Sequence, residues 1–496
     1  MKPVRIEVYS THIRIDSTNY GDVCNGLGNI RKVLDKFKET DFDKRQKRVF
    51  VTARYYFYNR YTTQMHLPRH ALKLVVENLK SQNIQYDICV KKPYVDKLES
   101  PLQMLPHWVD RPEHQNAINH LTRTDEPMLC CSMQTGKGKT YCATKSSISF
   151  ETYVLVLCSG LLEQWKENFL EKTTVDEKDI FIIQGVSSVQ KIVHILETNR
   201  EHRPKILIGS IETVRLWVLA QSNPYDQIIS WFDFLSEYGI GVKIDDEFHL
   251  NFAALVLIDL MSNVQTNMYL SATPKRSKSQ AQAILNRIFP SEIIGGQNQY
   301  DKYVDTTMYT YRLEVNKPQR FNTNYGYSHA KYEMELVNNS QTRKRFVNEV
   351  LFPIVDSEYV NVRVEKGQKC LIFVQTVAFA QKLQQYLDFY YNGRFDIRTY
   401  LSDDPEDNLI ESDIIVSTPK SCGTGVDIKN LITVINTVSF SSEPLCEQMF
   451  GRIRKIVGPM KFIDLANSYL QQHIRHFYKR KKIFYSRSKS FNELKL

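Results

Sequence analysis

Two short runs in this chain place lysine, glycine, hydroxyl and carboxylate groups where they could handle a phosphate. In Gln134-Thr135-Gly136-Lys137-Gly138-Lys139-Thr140, Gly136 and Gly138 let the backbone curl so that N–H groups point inward. Lys139 can then reach the β- and γ-phosphates, and Thr140 can set its hydroxyl on Mg2+. The general loop pattern has a glycine where this chain has Met133, and a chance Gly/Lys turn is the alternative reading. Downstream comes Asp245-Asp246-Glu247-Phe248-His249. Asp246 would hold Mg2+ through water and Glu247 would polarise a water for in-line displacement. An acidic strand end capping a helix is the bland alternative for this run taken alone. Ser271-Ala272-Thr273 adds small hydroxyl groups that can link the acidic run to a bound strand.

Such groups need strands and helices to hold them. Apolar runs at Met128–Cys131, Tyr153–Leu157, Ile180–Ile183, Lys205–Ile208, Gly241–Ile244 and Asn267–Leu270 alternate with helical stretches, which is the pattern of buried parallel strands in a β/α sheet. A second series runs through Lys369–Val374, Ile397–Tyr400, Asp413–Ser417 and Thr433–Thr437. Before both, residues 1–98 read as an α+β module: strands at Val4–Tyr9 and Thr11–Ile15, an amphipathic helix over Asn25–Phe37, a strand over Arg48–Tyr58, a helix over His70–Lys80 and a strand at Tyr86–Val90. A proline-bearing linker over Pro101–Pro112 leads to a first lobe over 107–300 and a second over 301–470. Residues 471–496 read as a basic aromatic tail, able to clamp duplex phosphates or to lie solvated. The polar segment 312–345 yields no assignable element.

The chain of 496 residues suits about three domains. Its excess of 65 Lys+Arg over 55 Asp+Glu favours a polyanionic partner. No apolar run nears the roughly 20 residues of a membrane span, no secretory leader is evident, and a cytoplasmic location is expected, that of the host cell for a viral protein. Cysteines 24, 89, 130, 131, 142, 158, 370, 422 and 446 form no C-x-x-C pair, so neither a zinc site nor a disulfide framework is expected.

The order of the runs resembles the superfamily 2 helicases of the DExH type, from about residue 107 to 465. That resemblance implies two tandem RecA-like lobes, ATP and Mg2+ as cofactors, and roles for further residues. Arg111-Pro112-Glu113-His114-Gln115 resembles the adenine-reading Q motif, with Gln115 on the base. His249, Ser271, Thr273 and Gln448 would couple nucleotide state to movement. Ser159, Gly160, Gly209, Ser210, Gln375 and Thr418 would face nucleic acid, and Gly425 and Asp427 the nucleotide. Gln448-Met449-Phe450-Gly451-Arg452-Ile453-Arg454-Lys455 is similar to motif VI, with Arg452 and Arg454 as arginine fingers. The family's second arginine position holds Lys455 here. On a continuous helix Gln448, Arg452 and Lys455 would share a face, whereas a helix ending near Ile453 would free Arg454.

The first module resembles, more loosely, the domain before the motor in bacteriophage UvsW-type branch-migration helicases. This implies remodelling of forked or four-way DNA in phage recombination or replication, by a protein expected to be a monomer on its own. RNA–DNA hybrids are a further possible substrate. An RNA-duplex helicase and a duplex-DNA translocase without strand separation stay open as alternatives. Arg54, Tyr55, Tyr56, Phe57 and Tyr58, with Arg60 and Tyr61, could stack bases, or simply form a half-buried strand.

Overall fold

The computed structural model describes residues 3–16, 27–43, 47–59, 64–220, 228–272, 274–276, 278–296, 300–323, 326–402, 404–422 and 428–496. The chain divides into two compact units, Met1–Asn298 and Gln299–Leu496.

The first unit opens with strands β1 (Val4–Val8) and β2 (His12–Asp16), helix α1 (Leu27–Leu34), strands β3 (Lys38–Asp43), β4 (Arg48–Arg54), β5 (Phe57–Asn59) and β6 (Gln64–Pro68), helix α2 (Leu72–Ser81) and strand β7 (Tyr86–Val90). A five-stranded sheet runs β5-β6-β2-β1-β7, while β3 and β4 form a separate antiparallel hairpin. Alternation buries Val4, Ile6 and Val8 of β1 with Ile13 and Ile15 of β2. These side chains share one core with Phe248, Phe252 and Phe289 of the lobe that follows. The module is therefore packed onto that lobe.

The lobe comprises α3 (His114–Leu121), β8 (Met128–Ser132), α4 (Lys139–Ile148), β9 (Tyr153–Cys158), α5 (Leu162–Lys172), β10 (Ile180–Ile183), α6 (Val186–Thr198), β11 (Ile206–Ser210), α7 (Ile211–Ala220), α8 (Trp231–Tyr238), β12 (Ile240–Asp246), α9 (Phe252–Asp259), β13 (Thr266–Ser271), α10 (Ser279–Ile288) and β14 (Ile294–Gly295). Its seven strands lie in the order β10-β11-β9-β12-β13-β8-β14, every pair parallel. The central strands β9 and β12 are buried along their length, β9 as a continuous apolar run.

The second unit contains β15 (Asp305–Tyr311), the short strands β16 (Asn322–Thr323) and β17 (Gly326–Tyr327), α11 (His329–Asn338), α12 (Ser340–Arg345), α13 (Phe352–Val355), β18 (Lys369–Phe373), α14 (Val377–Tyr391), β19 (Ile397–Tyr400), α15 (Asp407–Glu411), β20 (Ile414–Ser417), α16 (Pro419–Cys422), β21 (Leu431–Asn436), α17 (Glu443–Phe450), β22 (Lys461–Asn467), α18 (Gln471–Arg487) and β23 (Ser490–Lys495). Its main sheet, β19-β20-β18-β21-β22-β15-β23, is also seven-stranded and parallel. Two such α/β sheets, after a small α+β module, are tandem RecA-like lobes.

Residues 471–496 are not a tail. Helix α18 packs Phe477 and Phe484 into the second lobe's core, and β23 pairs with β15. Arg480 lies fully buried, its guanidinium on both oxygens of Asp464 at 2.9–3.2 Å and on the Phe440 carbonyl at 2.7 Å. A guanidinium so fixed cannot reach a phosphate. The segment 312–345, unreadable in sequence, holds the β16–β17 hairpin, α11 and α12. Among the described residues, no helix is long and apolar enough to cross a membrane.

Candidate nucleotide site

In a parallel sheet all C-terminal strand ends lie along one edge, and three neighbouring strands deliver the chemistry there. Strand β8 runs into the 133–138 loop, β12 ends at Asp246, and β13, paired with both, ends at Ser271. The loop is tied to its neighbour by the Met133 N–H donating to the Ser271 carbonyl at 3.2 Å, and is closed by Lys137 N–H to the Gln134 carbonyl at 3.2 Å. Gln134 and Thr135 lie half-buried in this turn. Gly138 has φ +84°, and a Cβ there would stand 2.4 Å from Nε2 of His114, so both conformation and space require glycine. Helix α4 starts at Lys139, and its N-terminal end carries the partial positive charge that favours an anion.

Lys139 extends its ammonium onto Glu247, with Oδ1 of Asp246 at 3.8 Å. Burial alone would lower its pKa, but Glu247 and Asp246 overcome this and raise it, so the lysine stays charged. Burial pushes Asp246 upward against the pull of Lys139. The indole N–H of Trp165 on α5 donates to Oδ2 of Asp246 at 3.0 Å, and the Glu247 N–H to its Oδ1 at 3.0 Å. Glu247 has φ +48°, a left-handed conformation that costs a non-glycine residue on the order of 1–3 kcal/mol and concentrates at functional sites. Sequence reasoning passed over Trp165 as an Asp246 partner, because the two meet only through the fold.

His249 connects this cluster to β13. Its Nδ1 lies 2.9 Å from Oγ of Ser271 and 3.4 Å from Oε2 of Glu247. Burial pushes its pKa down to about 4, so it is neutral near pH 7. Arg276 donates to its backbone carbonyl at 3.4 Å.

The other expected residues fall in several places. Gln115 is exposed on α3 and donates to Asn119 at 2.7 Å, whereas His114 faces the loop, its Nδ1 accepting from the Arg111 N–H at 3.2 Å. Ser159 accepts from the Asn251 amide at 2.8 Å, with exposed Gly160 beside it. Gly209 and Ser210 close β11, and a Cβ on Gly209 would meet Leu157 at 3.0 Å. Tyr55 is buried with its hydroxyl on Glu39, and Tyr56, Phe57 and Tyr58 pack against the module's core; the single strand expected over Arg48–Tyr58 is instead β4 and β5, parted by a bend at Tyr55 and Tyr56. Thr273, Gly425 and Asp427 lie outside the described residues, as do Cys24, Arg60 and Tyr61.

In the second unit, the Gln375 and Thr376 N–H groups and the Thr376 hydroxyl all donate to the buried carboxylate of Glu333 at 2.6–2.8 Å. Glu333 sits on α11, inside the segment that sequence could not assign. Thr418 is buried and accepts from the Ser421 N–H at 3.1 Å. Helix α17 carries Gln448 and stops at Phe450, so Gln448, Arg452 and Lys455 do not share a helical face. Arg452 is buried, with its Nε donating to the Gln448 carbonyl at 3.3 Å. Arg454 donates to the Gly451 carbonyl at 3.2 Å, while Lys455 is exposed and pairs with Asp301 at 3.2 Å.

Residues 107–276 match the family model described as Type III restriction enzyme, res subunit. A fragment described as a candidate HsdR subunit of a type I restriction enzyme from Vibrio vulnificus YJ016 shares 13% identity, with 98% of this chain and 84% of that chain covered and a TM-score of 0.51. S. cerevisiae Dbp5 bound to RNA and ADP BeF3 shares 12% identity over 85% and 93%, with a TM-score of 0.49. T4 UvsW shares 12% over 100% and 99%, with a TM-score of 0.36. At such identities the likeness shows fold, and the last two overlaps are too loose to carry an argument. A comparison with curated protein sequences finds no match. The family match is confined to residues 107–276, and Lys139, Asp246, Glu247 and His249 all fall inside it.

Proposed function

We propose that this chain is an ATP-driven motor that remodels branched DNA, regressing forks or migrating four-way junctions in the manner of phage recombination and replication enzymes. The observation that carries the ATPase part is the cluster of Lys139, Asp246, Glu247 and His249 behind a glycine loop at a helix N-terminus. The donor set fits a Mg2+–triphosphate: the Thr140 hydroxyl and Asp246 carboxylate would hold the metal, which supplies charge neutralisation on the phosphate oxygens when bound. A triphosphate in the loop competes with Glu247 for the Lys139 ammonium. Once Lys139 turns to the phosphates, the Glu247 carboxylate is free to orient a water and accept its proton as the Pβ-side oxygen leaves. Neutral His249 registers that change through its contact with Glu247 and passes it to Ser271. The proposal further assigns Arg452, with Arg454, to charge on the transferred phosphoryl group. It gives Ser159, Gly160, Gly209, Ser210, Gln375 and Thr418 to the bound strand.

Support for a polyanionic partner comes from α18. Arg475, Lys479 and Lys482 stand exposed at helical spacing beside Tyr478 and Tyr485, and among the described residues none of the three basic groups has an ion-pair partner. That stripe suits phosphate oxygens.

The test is ATP turnover and strand rearrangement measured on a panel of forks, four-way junctions, overhangs, RNA–DNA hybrids and structured RNA. Stimulation by forks and junctions with movement of their strands is expected. Greater stimulation by structured RNA, or turnover on duplex DNA with no strand moved, overturns the reading.

A further inference from the structure

We propose that the β3–β4 hairpin meets the branch point of a nucleic acid duplex, its apolar face stacking on the first unpaired bases; this rests on the motor reading above. In the hairpin's antiparallel register Thr40 faces Val51 and Phe42 faces Val49, so alternation puts these four side chains on one face. Phe42 is 53% exposed, Val49 65% and Val51 39%, and Phe50 on the opposite face is 43% exposed. A contiguous apolar surface of this kind on a two-stranded ribbon marks a binding element rather than a core.

Charge selects the occupant. Lys36, Lys47, Arg48 and Arg54, on the ribbon or next to it in sequence, are exposed, and Arg54 pairs in register with Lys38 on the Phe42 face. Two of the acidic groups of the same ribbon are already engaged: Glu39 accepts from Arg276 at 3.2 Å and Asp41 from Lys278 at 2.9 Å. The exposed basic groups and apolar side chains of the ribbon are complementary to phosphates flanking exposed base faces.

The mounting of the hairpin agrees. Gln280 donates to the Lys38 carbonyl at 3.1 Å and Arg287 to the Lys36 carbonyl at 3.2 Å, fixing β3 on α10. Arg276, whose Nη2 holds Glu39, donates through Nη1 to the carbonyl of His249. One guanidinium thus touches both the hairpin base and the residue that senses Glu247, so a shift of the nucleotide site is passed to the ribbon without an intervening loop.

The experiment uses the full chain on a fork. A photo-crosslinking benzoylphenylalanine in place of Phe42 is expected to label nucleotides at the branch. The Phe42→Ala/Val49→Ala variant is expected to keep DNA-stimulated ATP turnover within about twofold, as exposed substitutions do, while strand separation falls about tenfold, the scale of one lost base stack. Unchanged separation, or crosslinks absent from the branch, overturns the proposal and leaves the motor reading standing; the first of these results is what a protein-docking hairpin would give. A parent chain without DNA-stimulated turnover overturns both. Unchanged far-ultraviolet circular dichroism of the variant, expected because both side chains are exposed, separates loss of the stack from loss of the fold.

Discussion

On one side of β12 a lysine lies between Asp246 and Glu247; on the other a lysine lies between Asp245 and Asp259. Adjacent aspartates point to opposite faces of a strand, so one short acidic run serves two clusters of the same chemistry. Lys243 is fully buried and its ammonium reaches Asp245 at 2.6 Å and Asp259 at 2.5 Å. Tyr269 donates to the second oxygen of Asp259 at 2.9 Å, and the Thr11 hydroxyl of the N-terminal module donates to the Asp259 carbonyl at 2.6 Å. The Lys139 side chain keeps 11% of its surface and that of Glu247 25%, against none for Lys243 and Asp245. Access, not composition, separates a site that can exchange partners from one that holds the lobe to its N-terminal module. Substitutions on the two faces should therefore fail in different currencies.

The largest effect is expected on the open face. Glu247→Gln keeps the shape but not the proton acceptor, and Lys139→Ala removes the phosphate partner; each should lower ATP turnover about 10³-fold. The melting temperature of Glu247→Gln should stay within about 3 °C of the parent. Turnover retained in either variant would remove the assignment. On the closed face, Lys243→Met leaves two carboxylates buried without their cation, a loss of about 3–5 kcal/mol. Calorimetry should show a melting temperature lower by ~10 °C, partly restored when Asp245 and Asp259 are both changed to Asn. A Lys243→Met protein that melts with the parent would mean the two faces are not distinct.

A third substitution probes what positions Asp246. Trp165→Phe preserves the ring but removes its 3.0 Å hydrogen bond to Oδ2. Bonds to charged groups contribute about 1.5–3 kcal/mol. Turnover should fall about tenfold, with the Mg2+ titration midpoint displaced upward and stability little changed; an unmoved midpoint would make Trp165 a packing residue only.

How much of this was readable in advance depends on range along the chain. The phosphate loop and acidic run were legible because strand, turn and helix are contiguous there, and apolar β/α alternation announced both sheets. The β3–β4 hairpin was read only in part, since Phe42, Val49, Phe50 and Val51 look like buried strand residues and yet are exposed. Strand β22 contains Asp464, an aspartate that a core strand tolerates only with a partner, and that partner is Arg480 on α18. That same pairing removed the apparent basic tail. Gln115 and His114 differ by one step of helix phase, which a sequence without a fixed helix start cannot resolve. Trp165 with Asp246 and Glu333 with Gln375 are tertiary pairs, invisible to periodicity.

The smallest effect distinguishes the faces by pH. Burial pushes the Asp245 carboxyl up to about 7 against the opposing pull of Lys243, and its Oδ1 has no hydrogen-bond partner. A folded-state value above the ordinary carboxyl value of about 3.9 means the protonated form is favoured by folding. The associated stability is complete below that ordinary value and is lost as pH rises through about 7. Asn mimics the protonated acid and does not titrate. The stability of Asp245→Asn should therefore gain on that of the parent by on the order of 2–3 kcal/mol between pH 5 and pH 8, read from denaturant midpoints at each pH. A difference that is flat with pH, or that favours the parent at high pH, would mean Asp245 is already ionised beside Lys243, and the closed face would then be an ion pair of the same kind as the open one.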